Sequence, residues 1–149
     1  MSDFYPLVSV SETVNASPSQ VWETATHKTG VMFMGADVET DWREGHPIKF
    51  KGEWKGKTFE DKGIVETVDE KRRLAFTHFS PASGKEDSPE NYNLVSIELR
   101  PEGRGTDVTL TQSVHRQAEE PSAETVAEFE KNWRMMLAKL KDEVEHASG

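Results

Sequence analysis

The sequence predicts an α+β domain in which a curved antiparallel sheet of about seven strands wraps around a long C-terminal helix, with one or two short helices after the first strand. Three observations predict it. Apolar and polar residues alternate from Val8 to Asn15 and in successive stretches between Val38 and Val114, the period of strands with one buried face. Short turn sequences separate these stretches, among them Glu44-Gly45, Lys55-Gly56-Lys57 and Gly103-Arg104-Gly105, as antiparallel neighbours require. From Pro121 to about His146 the period changes to threes and fours, with Val126, Phe129, Trp133, Met136, Leu137, Leu140 and Val144 on one face. Packing that sheet on that helix buries every apolar face at once.

Taken in order, the first strand carries Val8, Val10, Glu12 and Val14 on one parity. Ser17-Pro18-Ser19-Gln20 follows, with Ser17 as a helix cap, Pro18 in the first turn and Gln20 completing a capping box. Val21, Trp22 and Ala25 then line the inner side of a short helix. Val38, Thr40 and Trp42 alternate with charged residues, and Ile48, Phe50, Gly52 and Trp54 alternate with Lys49, Lys51, Glu53 and Lys55. Phe59, Gly63 and Val65 share a parity in the next strand, and Leu74, Phe76 and His78 do so in the one after Asp69-Glu70-Lys71. The polar run from Pro81 to Asn91 reads as a long hairpin loop. Val95, Ile97 and Leu99 lead to the turn at Pro101 to Gly105, and Val108, Leu110, Gln112 and Val114 form the last strand. In the long helix, early Glu124, Glu128 and Glu130 and late Lys139 and Lys141 suit the helix dipole. Residues 1–149 form one domain, without internal repeats.

Lys and Arg total 18 against 27 Asp and Glu, so a formal charge of -9 repels phosphate backbones and anionic lipid heads and argues against nucleic acid as a partner. The absence of cysteine excludes disulfides, thiol nucleophiles and thiolate zinc sites, and fits a reducing compartment. Met1 to Val10 lacks the basic flank and apolar core of a secretory signal, and no apolar stretch approaches the ~20 residues of a membrane span. The expectation is a soluble, cytoplasmic protein without membrane insertion.

One helix is narrower than the concave sheet it covers, so large side chains or a void must fill the difference. Parity points Trp42, Phe50, Trp54, Phe59, Phe76, Val95, Ile97 and Leu110 inward, facing Trp133, Met136 and Leu137 from the helix. Glu12, Thr40, His78, Asn93 and Gln112 share the inward parity and are candidate polar anchors. Burying such groups without partners costs about 1–3 kcal/mol each, so they bond one another and trapped water, or a ligand meets them. Both readings stay open here: the walls of a ligand pocket, or a filled core.

Several segments carry a family resemblance. They are Ser17-Pro18-Ser19-Gln20-Val21-Trp22, Glu39-Thr40-Asp41-Trp42 with Gly45, Phe50-Lys51-Gly52-Glu53-Trp54 running into Gly56, and Gly63-Ile64-Val65-Glu66 with Arg73-Leu74. Thr77-His78-Phe79-Ser80, Pro89-Glu90-Asn91-Tyr92, Gly105-Thr106 and Trp133 with Leu137-Ala138-Lys139-Leu140-Lys141 complete the set. Over nearly its whole length the chain resembles the START/Bet v 1-like (SRPBCC) superfamily, in the branch of the Hsp90 ATPase activator homologues and the calicheamicin-resistance protein. The resemblance implies a helix-grip fold with a hydrophobic cavity between sheet and long helix, used across the superfamily for lipids, sterols, polyketides and other apolar ligands. Met32-Phe33-Met34 stands where relatives often carry a tryptophan, so no ligand contact is carried over there, although methionines suit an adaptable lid.

His27, His46, His78, His115 and His146 show no metal-ligating spacing, so neither metal nor cofactor is expected. His78, flanked by inward aromatics, is either an acid or base for a bound carbonyl compound or a hydrogen-bonded core histidine. Glu12 is either a buried acid or turned to water, and no catalytic residue is assigned. Gly103-Arg104-Gly105 precedes a strand and is a hairpin turn, since a phosphate loop needs a following helix N-terminus. Lys49, Lys51, Lys55 and Lys57 face outward, open to an acidic or chaperone partner or simply solvating the sheet. The expected function is binding of a small hydrophobic or aromatic molecule through Trp42, Phe50, Trp54, Phe76, His78, Asn93, Trp133, Met136 and Leu137. The alternatives are a cyclase- or hydrolase-type enzyme in the same cavity, or a chaperone-associated interaction domain; an exposed edge strand would also support a homodimer.

Overall fold

The alternation of Val8, Val10 and Val14 becomes strand β1 (Phe4–Val14), with those three side chains buried and Ser9 and Ser11 outside. The computed structural model describes residues 3–28, 36–54 and 56–147, the side chains of residues 54, 82 and 147 excepted. Helix α1 (Pro18–His27) starts where the capping box places it: Gln20 N–H donates to Ser17 Oγ and Ser17 N–H donates to Gln20 Oε1. Strands β2 (Asp37–Glu39), β3 (Pro47–Trp54), β4 (Lys57–Asp69), β5 (Arg73–His78), β6 (Asn93–Glu102) and β7 (Gly105–His115) follow, and helix α2 (Ala123–Ala147) ends the described chain. The seven strands form one antiparallel sheet in the order β1-β7-β6-β5-β4-β3-β2. This is the sheet-and-helix arrangement that the two periodicities predict.

Two sequence expectations shift. The alternation of Val38, Thr40 and Trp42 suggests one strand, but β2 stops at Glu39. Local side-chain bonds end it: Thr40 Oγ1 accepts from Trp42 N–H and Asp41 Oδ1 accepts from Arg43 N–H, turning the backbone away from the ladder. The long helix starts at Ala123 and not at Pro121, because Ser122 Oγ accepts from Thr125 N–H and so caps it. The loop between β5 and β6 holds two short 3-10 turns, Pro81–Ser83 and Pro89–Asn91, and is fastened to the sheet by an ion pair of Asp87 with Lys62 and by stacking of Tyr92 on Phe79.

The sheet bends at β4, where register slips between Val65 and Thr67. At Gly63 the chain passes so close to β5 that a Cβ would sit 1.7 Å from the Thr77 carbonyl oxygen, so only glycine permits the bend. On the concave side the C-terminal half of α2 is fully inserted, with Leu140 0% and Val144 2% exposed beside Met136 and Leu137. Lys141 Nζ donates to the Thr13 carbonyl and Asn15 N–H donates to Glu145 Oε2, tying this half to the end of β1. Val126, Phe129 and Trp133, in the N-terminal half, are only partly buried.

Leu140→Ala is therefore expected to lose about 2–5 kcal/mol of unfolding free energy in urea titration, and a loss under about 1 kcal/mol would mean that the helix is not the sealed wall described. The backbone N–H of Asn15, and then Lys141, hold the Glu145 carboxyl below its ordinary value of 4.5. A depressed carboxyl stabilises the fold above its unfolded value and loses that contribution as pH falls through the folded one. The melting-temperature difference between wild type and Glu145→Gln should therefore be constant near neutrality and shrink below pH 4.5. A pH-independent difference would contradict the tie.

Candidate functional site

Pairing register fixes which side chains meet on the concave face. Val8, Gln112, Val95, Phe76 and Val65 stand side by side across β1, β7, β6, β5 and β4. One step further along the strands, Asn93 stands opposite His78, and on β3 and β4 Phe50 stands opposite Asp61. Directly opposed residues share a face, so Asp61 points inward with buried Phe50. His78 Nε2 lies 2.9 Å from Asp61 Oδ2, with the two side chains 30% and 14% exposed. The Phe50 ring meets the His78 imidazole edge-on at 5.3 Å and tilts against Phe76 at 5.5 Å. The result is a carboxylate–imidazole pair set in an aromatic wall. Gly52 lets the Phe59 ring lie over the same face, since a Cβ there would fall 2.7 Å from it.

The opposite wall comes from α2. Trp133 Nε1–H donates to Gln112 Oε1 at 2.7 Å, which fixes the level at which the helix crosses the sheet. Phe129 lies one helical turn earlier, roughly 6 Å along the axis. Phe129 and Trp133 thus belong to the helix side of the concave face, and Phe50, Phe76, Asp61 and His78 to its sheet side. Met136 and Leu137, further along the helix, are buried.

The predicted polar anchors separate into two groups. His78 and Asn93 are cross-strand neighbours, and both are half-buried. Gln112 is already bonded to Trp133, and the Thr40 hydroxyl to the Trp42 backbone. Glu12 stands opposite Val108, which stands opposite Leu99; six residues of β6 separate Leu99 from Asn93, roughly 20 Å. Glu12 and His78 are not brought together. Trp42 packs against the core from a turn, with a left-handed φ of 55° and its indole N–H donating to the Thr26 carbonyl at the end of α1. The Trp54 side chain and Met32-Phe33-Met34 lie outside the described residues. Asp61 is the residue that sequence reading passes over, although it shares the parity of Phe59, Gly63 and Val65.

Elsewhere, Lys49 pairs with Glu60 at 3.8 Å and Lys51 with Glu39 at 3.3 Å, so these outward lysines already meet carboxylates on adjacent strands. Among the described residues no group of His, Asp and Glu is arranged to hold a metal, and no helix is long and apolar enough to cross a membrane. Two surface depressions, about 770 Å³ beside Arg72 and Arg100 and about 270 Å³ beside Glu39 and Lys49, are lined mainly by polar and charged side chains and do not suit an apolar guest.

The family model described as "Activator of Hsp90 ATPase homolog 1-like protein" matches residues 15–145. Among solved structures, the solution structure of ChR145 from Cytophaga hutchinsonii is 37% identical, covering 95% of this chain and 94% of that one, with a TM-score of 0.77. The crystal structure of DynU16, a protein of the dynemicin biosynthetic locus, is 19% identical over 97% of this chain and 48% of that one, with a TM-score of 0.73. Ara h 8.0201 is 12% identical over 96% and 99%, with a TM-score of 0.73. At such low identity the last two establish the shared fold. Among curated proteins nothing matches the chain.

Trp133→Phe leaves the buried Gln112 carbonyl without its donor and is expected to lose about 1–3 kcal/mol in urea denaturation. Adding Gln112→Leu removes the stranded acceptor and should recover part of that loss, so a double variant less stable than the single one would refute the pairing.

Proposed function

Since the chain belongs to the family of activator of Hsp90 ATPase homolog 1-like proteins and has the Bet v 1-like helix-grip fold, we propose that it binds a small apolar, ring-bearing molecule in the groove beneath the N-terminal half of α2. The observation that carries this reading is the uneven burial of that helix. In its C-terminal half Met136, Leu137, Leu140 and Val144 are buried, while Val126, Phe129 and Trp133 in the N-terminal half stay partly exposed. Phe129 and Trp133 keep apolar area exposed that a guest would remove from water, at roughly 25 cal/mol per Å². The neighbouring polar groups are few, as in sites where apolar walls give affinity and one or two polar atoms give orientation. Phe50, Phe76 and His78 form the sheet side of the contact, Trp133 the helix side, with Asn93 at the edge; Met136 and Leu137 contribute as the closed end.

The test uses 2-methoxynaphthalene, an apolar ring probe, titrated into the protein by calorimetry and followed by amide and indole N–H chemical shifts. Saturable one-to-one binding is expected, with shifts concentrated at Trp133, His78 and Phe129, and with affinity reduced about tenfold in Trp133→Ala. No saturable binding, or shifts confined to the convex face, would remove the proposal.

A further inference from the structure

The carboxylate–imidazole pair in the groove is incompletely satisfied. Asp61 Oδ2 accepts from His78, but Asp61 Oδ1 is shut off from solvent and has no hydrogen-bond donor among the described residues. A desolvated carboxylate oxygen without a donor is a costly feature for a fold to keep. The ring partner points the same way. With Nε2–H committed to the carboxylate, a neutral His78 leaves Nδ1 as an acceptor, and no described residue donates to it. Both open atoms of the pair therefore accept.

From this we infer that the guest carries its polar end as a neutral hydrogen-bond donor, a hydroxyl on an apolar ring, and that Asp61 Oδ1 is the atom that receives it. This rests on the groove reading above and adds the chemical class. Phe50 and Phe76 flank the pair, so the carrier of the hydroxyl is apolar and flat enough to lie against rings. A carbonyl or ether oxygen brings another acceptor to a site that already has two. An ammonium would have to surrender its hydration to reach an enclosed carboxylate oxygen. A neutral hydroxyl satisfies Oδ1 without a second full charge. Asp61 is then a specificity-determining residue, with His78 orienting its carboxylate.

The experiment compares 2-naphthol with 2-methoxynaphthalene, which differ by blocking the donor, on the wild-type chain and on Asp61→Leu by calorimetry. Wild type should bind the naphthol at least tenfold more tightly, and Asp61→Leu should bind the two within about twofold while keeping its affinity for the ether. Equal affinities in wild type, or a preference for the naphthol that persists in Asp61→Leu, overturn the assignment of the donor and leave the groove reading standing. Failure of both probes to bind wild type overturns the groove reading and this inference together. Should Asp61→Leu not fold, the wild-type comparison decides alone.

Discussion

The structure depends on a mismatch of widths. A seven-stranded sheet, bent at β4 where Gly63 passes the Thr77 carbonyl, offers a broader concave surface than one helix can cover. The chain resolves the mismatch at one end only. Leu140 and Val144 are inserted to full depth, and Lys141 and Glu145 fasten that end of α2 to the last residues of β1. Close packing is therefore reached where α2 meets β1 and α1. The helix is displaced toward β1 and α1, and the sheet continues away from it through β5, β4 and β3.

That displacement explains why polar groups gather where they do. Gln112 sits at the boundary between the sealed end and the groove, and the indole of Trp133 satisfies it. One step beyond, Asp61, His78 and Asn93 stand near one another, and among the described residues their side chains share one hydrogen bond, that between Asp61 and His78. A buried pair of this kind does not of itself stabilise a fold strongly, because desolvation offsets the attraction. It sits beside the Phe50 ring, which packs in turn against Phe76.

Much of the fold is legible in the residues because its signals are local. The capping reciprocity of Ser17 and Gln20, the alternation of Val8, Val10 and Val14, and the threes-and-fours spacing up to Val144 each predict an element that forms. The site is less legible, because its chemistry depends on register between strands distant in sequence. Asp61 lies on an inward parity yet escapes notice, since a carboxylate among hydrophobic positions reads as a surface residue until Phe50 and His78 are placed beside it. Trp42 errs the other way: alternation carries it into a strand, while the Thr40 hydroxyl and Asp41 carboxylate end that strand at Glu39, three residues earlier. Thr40 and Gln112 have inward parity but are claimed by near neighbours, and only three-dimensional pairing reveals which polar groups are left over.

The glycine at position 52 acts as a spacer whose size governs its surroundings. Because the Phe59 ring occupies the room that a methyl group would take, the two positions share one fixed allotment of volume on the face that also carries Phe50 and Asp61. Enlarging residue 52 evicts the ring toward the open side, and shrinking residue 59 hollows the wall. A gain of bulk at one of these positions therefore calls for a loss at the other, on the same face that carries the Asp61–His78 pair.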